Sequence, residues 1–178
     1  MAFFSEGQGR VKLLMLYIMH SFRTPVTREQ LYTAMVRVDD TGFFEMSELL
    51  AELIGEQYAL AVPARGRQLL FLTEKGARLC EEFEREIARS VRDEVIGYAN
   101  DERENVRRSN CVVSDAVPQP DGSWVLTLSI LEKDSVLFEI TLHLPDSGST
   151  YRAQQVWAAD ADGIYIDMLS RLTKKEES

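Results

Sequence analysis

Side chains that gather to do chemistry are scarce in these 178 residues. The two histidines stand apart: His20 closes an apolar run and His143 sits in an alternating one, positions of structural or solvated imidazoles rather than of a proton shuttle. Cys80 and Cys111 have no CxxC neighbour, and no HExxH motif or Walker-type phosphate loop occurs. Gly7-Gln8-Gly9 lacks the strand that must precede a dinucleotide fingerprint, so it reads as a flexible lead-in. Asp160, Asp162 and Asp167 are close in sequence, as solvated carboxylates on a helix commonly are, and Trp124 and Trp157 fall on apolar stripes as core aromatics do. The expectation is a protein that is not an enzyme and holds no metal or cofactor. The residues that remain with a chemical purpose are Arg65 and Arg67. They flank Gly66, with Gln68 beside them, and two guanidinium forks at a loop tip suit phosphate oxygens or a minor groove.

The elements around that tip determine what it can reach. Residues 10–22 are apolar nearly all round (Val11, Leu13, Leu14, Met15, Leu16, Tyr17, Ile18, Met19), which predicts a first helix buried on more than one side. Thr27-Arg28-Glu29-Gln30 offers a capping hydroxyl and an amide three residues on, so a second helix opens there, with Leu31, Met35 and Val38 inward. Thr41-Gly42 ends it. A third helix over residues 45–56 turns Met46, Leu49, Leu50, Leu53 and Ile54 inward and leaves Ser47, Glu48, Ala51, Glu52 and Gly55 outside. Residues 58–63 and 68–73 are short apolar runs that pair across the Arg65–Arg67 turn as a ribbon. Three helices and then a ribbon make a winged helix-turn-helix, in which the third helix enters the major groove and the ribbon turn is the wing.

Leu79, Phe83, Ile87, Val91, Val95 and Tyr98 recur at near-constant spacing and predict one long helix running from Glu74. Such a helix, about 38 Å long at ~1.5 Å per residue, must find cover beyond its own unit. Residues 101–110 are polar except for Val106 and read as a linker between a domain at 1–100 and another at 111–178. Strands are predicted at 111–117, 124–131 and 136–144, forming an antiparallel meander. A final helical segment, interrupted near Asp162-Gly163, covers it with Val156, Trp157, Ile164, Met168 and Leu172. The expected class is α+β: an N-terminal winged helix-turn-helix, a long linking helix, and a C-terminal three-stranded antiparallel sheet under one or two helices.

The step Leu72-Thr73-Glu74-Lys75-Gly76 from ribbon into helix resembles winged-helix regulators of the PadR-like and MarR-like kind, over residues 10–100. Gly9-Arg10-Val11-Lys12-Leu13-Leu14, Leu16-Tyr17-Ile18, Pro25-Val26-Thr27 and Gln30-Leu31 look closer to an uncharacterised family of small two-part proteins, a domain of unknown function assumed to regulate transcription. The PadR-like resemblance implies dimerisation through the long helix, with Phe83, Ile87, Val91 and Val95 as its contacts. Phe3 and Phe4, on a short N-terminal arm, are expected to contribute.

Net charge is −9, and its distribution decides more than its sum. Residues 1–76 hold eight Lys/Arg against nine Asp/Glu, while residues 111–178 hold five against eleven. A nearly neutral N-terminal part permits DNA binding without demanding it. The third helix carries Glu45, Glu48, Glu52 and Glu56 and no Lys or Arg, so candidate DNA contacts reduce to Arg28, Ser47, Gln57, Arg65, Arg67 and Gln68, with Arg10 and Lys12 at phosphates. Two readings follow. One is a homodimeric DNA-binding transcriptional regulator whose C-terminal unit dimerises or senses; the other is a winged-helix module that presents its acidic helix to a protein partner. No apolar run reaches the roughly 18 residues that span a bilayer, and the cysteine usage fits a reduced cytoplasm.

Overall fold

The computed structural model describes residues 7–64, 67–132 and 135–174. The fold is α+β, and the chain divides into two compact units that part between Asn110 and Cys111.

In the first unit, α1 (Gly7–Phe22) takes Gly7-Gln8-Gly9 into its opening turn, not into a flexible lead-in. Val11 and every residue from Leu13 to Met19 are buried, which makes α1 the pillar on which α2 (Arg28–Met35), α3 (Phe43–Gly55) and α4 (Glu74–Phe83) pack. The capping box at α2 is present. Thr27 Oγ1 accepts from the Gln30 amide at 3.2 Å, and Gln30 Oε1 accepts from the Thr27 amide at 2.8 Å. Between α2 and α3 the Asp39 carboxylate accepts from the Thr41 amide and hydroxyl and from the Arg10 guanidinium, tying the turn to α1. Burial alone would raise the Asp39 carboxyl; the Thr41 groups, then Arg10, outweigh it and hold the carboxyl below its ordinary value.

α3 ends with the Tyr58 amide on the Leu53 carbonyl (2.9 Å) and the Gln57 amide on the Ile54 carbonyl (3.0 Å), Gln57 taking the left-handed conformation at φ 64°. That turn feeds β1 (Ala59–Ala64), which pairs antiparallel with β2 (Arg67–Leu72) in a register running from Ala59↔Leu72 to Ala64↔Arg67. Val26, just ahead of α2, bridges the other edge of β2 through two hydrogen bonds with Leu70, at 3.2 and 2.8 Å. Gly76, in the first turn of α4, lies where the chain crosses itself: a Cβ there would stand 2.1 Å from the Tyr58 carbonyl oxygen.

Between Glu74 and Cys111 the structure corrects two expectations. The predicted long helix is broken: α4 ends at Phe83, Glu84–Glu86 forms one 3₁₀ turn, Ile87 is extended, and α5 (Arg89–Cys111) starts anew. Steps of four residues each advance about 40° around a helix of ~3.6 residues per turn, so Leu79 and Val95 would face nearly opposite ways on a straight rod. The break lets Ile87 and Val95 enter the same core. The predicted linker at 101–110 is helix, the last part of α5. It packs through Ala99 and Val106, while Arg103 and Asn110 are satisfied by hydrogen bonds rather than by apolar contact.

In the second unit, β3 (Val112–Pro118), β4 (Trp124–Glu132) and β5 (Ser135–Leu144) form an antiparallel sheet in that order. Asp121-Gly122 turns the first hairpin, with Gly122 at φ 87° and Asp121 accepting from the Ser123 amide at 2.9 Å. A single helix, α6 (Ser147–Thr173), capped by Asp146, covers one face. Its inward side is Trp157, Ala161, Ile164 and Tyr165 against Leu126, Leu128 and Ile130. Val156 and Leu172, expected on that side, are exposed: Val156 is the immediate neighbour of the buried Trp157 and so points about 100° away from it. α6 kinks at Asp160 rather than at Asp162-Gly163.

Candidate nucleic-acid interface

The exposed side of α3 is built by default, since Met46, Leu49, Leu50 and Leu53 take the inner side. Phe44 at 85 % exposure, Glu45, Glu48, Ala51, Glu52 and Gly55 form that surface. Two of the helix's carboxylates are tied back. Lys12 on α1 reaches Glu52 at 2.6 Å and Glu56 at 3.6 Å, and the Glu52 hydrogen bond raises the ammonium's pKa against the effect of burial. Among the described residues, Glu45 and Glu48 have no ion-pair partner. The α3 surface is therefore acidic around an exposed aromatic ring.

The proposed contact residues fall in several places. Arg28 is the first residue of α2 and is half-buried. Gln57 and Gln68 are exposed, Gln57 on the turn after α3 and Gln68 on β2. Arg67 is exposed at the start of β2, and its Nη2 donates to the Ser109 carbonyl of α5 at 3.0 Å. Arg65 lies outside the described residues, as do Phe3 and Phe4. Ser47 does not belong to the outer face: its hydroxyl is buried and has no hydrogen-bond partner among the described residues. Arg10 and Lys12 are engaged by Asp39 and by the α3 glutamates, so neither is a spare phosphate contact.

The expected dimerisation stripe is also reassigned. Ile87 and Val95 are buried in the first unit's core, and Phe83 and Val91 pack against it, so these side chains are used within their own unit.

Sequence reasoning missed a polar joint where α2, β2 and α5 meet. The Asn110 amide nitrogen donates to the Pro25 carbonyl at 2.9 Å and to Gln30 Oε1 at 2.7 Å, and Gln30 Nε2 donates to Ser109 Oγ at 3.4 Å. About two turns earlier, Arg103 donates to the Ser21 and Phe22 carbonyls at 2.9 Å each, closing the end of α1. The spacing of Ala99, Arg103, Val106 and Asn110 at four, three and four residues is a helical signal, concealed because two of the four are polar.

Among the described residues, no group of three or more His, Cys, Asp or Glu is placed to hold a metal ion, and no helix is long and apolar enough to cross a membrane. Cys80 and Cys111 are buried, and neither forms a disulfide among the described residues.

The two units together define an α+β protein: a helical body with a two-stranded ribbon, followed by a three-stranded antiparallel sheet under one helix. Residues 11–172 match the family model of a domain of unknown function, DUF4364, and the chain belongs to that family. Neither a curated protein nor a solved structure matches it.

Proposed function

We propose that the N-terminal unit is a winged helix and that the protein is a homodimeric DNA-binding transcriptional regulator. DNA contact comes from the ribbon and the first turn of α2 rather than from the outer side of α3. The observation that carries this reading is the order α1, Val26 bridge, α2, α3, β1–β2 hairpin, in which the Val26 segment adds a third strand position to the ribbon. Arg28, Arg67 and Gln68 then offer positively charged or amide groups. Phosphate contacts of this kind fix position on a duplex and carry little sequence information. The acidic α3 surface would repel phosphates at short range, which is why it is assigned no role in groove reading.

The C-terminal unit is assigned to dimerisation. Tyr151, Val156, Ile166, Leu169 and Leu172 are exposed along α6, an apolar display that a second copy would cover. A gel-shift titration with duplex DNA from upstream of the protein's own gene tests the DNA reading: a shifted complex, weakened in an Arg28→Ala, Arg67→Ala double variant, supports it, and free duplex at every protein concentration refutes it.

One observation favours a second reading. Phe44, flanked by Glu45 and Glu48, is the surface a basic protein segment with an apolar anchor would seek. Under that reading α3 docks a protein partner, and Phe44→Ala abolishes its capture while leaving the fold intact.

A further inference from the structure

The two edges of the C-terminal sheet are not alike. β3 ends on Pro118 and carries an exposed Asp115, and its Val113 carbonyl accepts from the Trp157 indole nitrogen at 3.0 Å. Features of this kind blunt an edge against further pairing. β5, at the other edge, contains no proline, lysine or arginine, and among the described residues no strand lies beyond it. At ten residues it is also the longest strand of the sheet. Its free backbone groups are a template for one more strand. The register with β4 says where that strand can pair. Ile130 faces Phe138 and Leu131 faces Val136, so Leu137 is an extra residue, a bulge that bends and twists β5 at that point. The regular edge is therefore residues 138–144, and its midpoint is Thr141.

Side chains alternate along that stretch. Phe138, Ile140, Leu142 and Leu144 pack on the α6 side but are only half-buried, whereas Leu126, Leu128 and Ile130 of β4 are buried. Glu139, Thr141 and His143 are exposed on the opposite face. A second copy laid antiparallel about a two-fold axis at Thr141 sets Phe138 against the partner's Leu144, Ile140 against the partner's Leu142, and Glu139 against the partner's His143. The apolar pairs gain the cover that β5 lacks, and a carboxylate meets an imidazole, which carries an N–H in either protonation state. Glu139 accepts from Ser129 Oγ at 3.1 Å, and a carboxylate has capacity for more. Moving the axis to Ile140 or Leu142 pairs only residues 138–142 or 140–144 of the regular edge and dissolves both Glu139–His143 pairs. We propose that β5 joins two copies edge to edge about Thr141, making one continuous antiparallel sheet with three strands from each copy. The axis stands perpendicular to the sheet, so both α6 helices lie on one face of it, with the apolar residues exposed along α6 on that same side. This interface deepens the homodimer reading of the C-terminal unit and rests on it.

Cross-linking and sedimentation of the full chain test it. Thr141→Cys puts two thiols on the axis, where opposed Cβ atoms stand about 4.5–5.5 Å apart, and a short thiol-specific cross-linker should yield a covalent dimer. Leu137→Cys puts its two thiols roughly 26 Å apart, so the same reagent should leave it uncoupled. His143→Glu sets two carboxylates opposite each other at both ends of the interface and should raise the dimer dissociation constant roughly tenfold. Adding Glu139→Lys restores opposite charges at both ends and should recover most of the affinity. Thr141 is exposed, so the cross-linking arm stands even if the charge variants fold poorly. A dimer that cross-links no better at Thr141 than at Leu137 and ignores the charge reversal overturns the β5 interface and leaves the homodimer reading intact, with α6 alone as its contact. A wild-type chain that stays monomeric at micromolar concentration overturns both, and leaves the β5 edge to a strand from another protein.

Discussion

Among single residues, the polar groups that matter most are those that hold turns together. Asp39 has its carboxyl depressed by Thr41 and Arg10 against the opposing effect of burial, so it stabilises the fold above its ordinary value of 3.8 and loses that contribution as pH falls through the folded value. Asp39→Asn should therefore be less stable than wild type in urea unfolding at pH 7, and the gap should narrow as pH falls below 3.8. Burial pushes the Cys80 thiol up from 9.0 to about 12. An unfolded thiol ionises first, so stability falls as pH rises from about 9 toward 12, and Cys80 should resist alkylation at pH 8 until the protein unfolds. Gly76→Ala forces a methyl onto the Tyr58 carbonyl and is expected to cost about 1–3 kcal/mol or more in urea unfolding. Gln57→Gly should go the other way, stabilising by about 0.5–1 kcal/mol, because Gln57 holds a left-handed conformation that glycine adopts freely.

Secondary structure elements were legible wherever the pattern was apolar and local. The pillar α1, the capping box at Thr27, the hairpin and the three-stranded meander were all readable from spacing and turn chemistry, to within a few residues. The break between α4 and α5 was not, because Glu84-Arg85-Glu86 contains no Gly or Pro to mark it, and an even four-residue spacing looks like a stripe until its angular drift is counted. The helix through residues 101–110 escaped because its inward positions are filled by hydrogen-bonding side chains. Of the candidate site, the charge of the α3 surface could be read directly; the inward turn of the Ser47 hydroxyl and the capture of Lys12 by Glu52 could not, since both depend on neighbours from other elements. Arg103→Ala should cost about 1–3 kcal/mol, a charge-assisted pair of bonds removed from the end of α1, in a segment whose sequence looks like solvent-exposed linker. At α6, Leu169→Glu with Leu172→Glu should convert a dimer to a monomer in size exclusion with light scattering; a wild-type monomer at micromolar concentration would rule out the proposed homodimer.

For the molecule as a whole, charge and architecture pull in different directions. The acidic charge is concentrated in the C-terminal unit, the N-terminal unit is near neutral, and within it the α3 surface is negative while Arg28 and Arg67 belong to α2 and β2. The proposed winged helix, with DNA contact proposed for ribbon and α2, would reconcile the order of the elements with that distribution. Fluorescence anisotropy of a random duplex pool across a range of salt puts this to the test, comparing wild type, Arg28→Ala with Arg67→Ala, and Glu45→Gln with Glu48→Gln. Wild type should bind with a log–log salt slope of a few units. The slope should fall by about one for each arginine–phosphate pairing that the arginine variant removes, and affinity should be nearly unchanged in the glutamine variant. No binding by the wild type even at low salt, or binding gained only when the two glutamates are neutralised, would contradict DNA recognition by ribbon and α2.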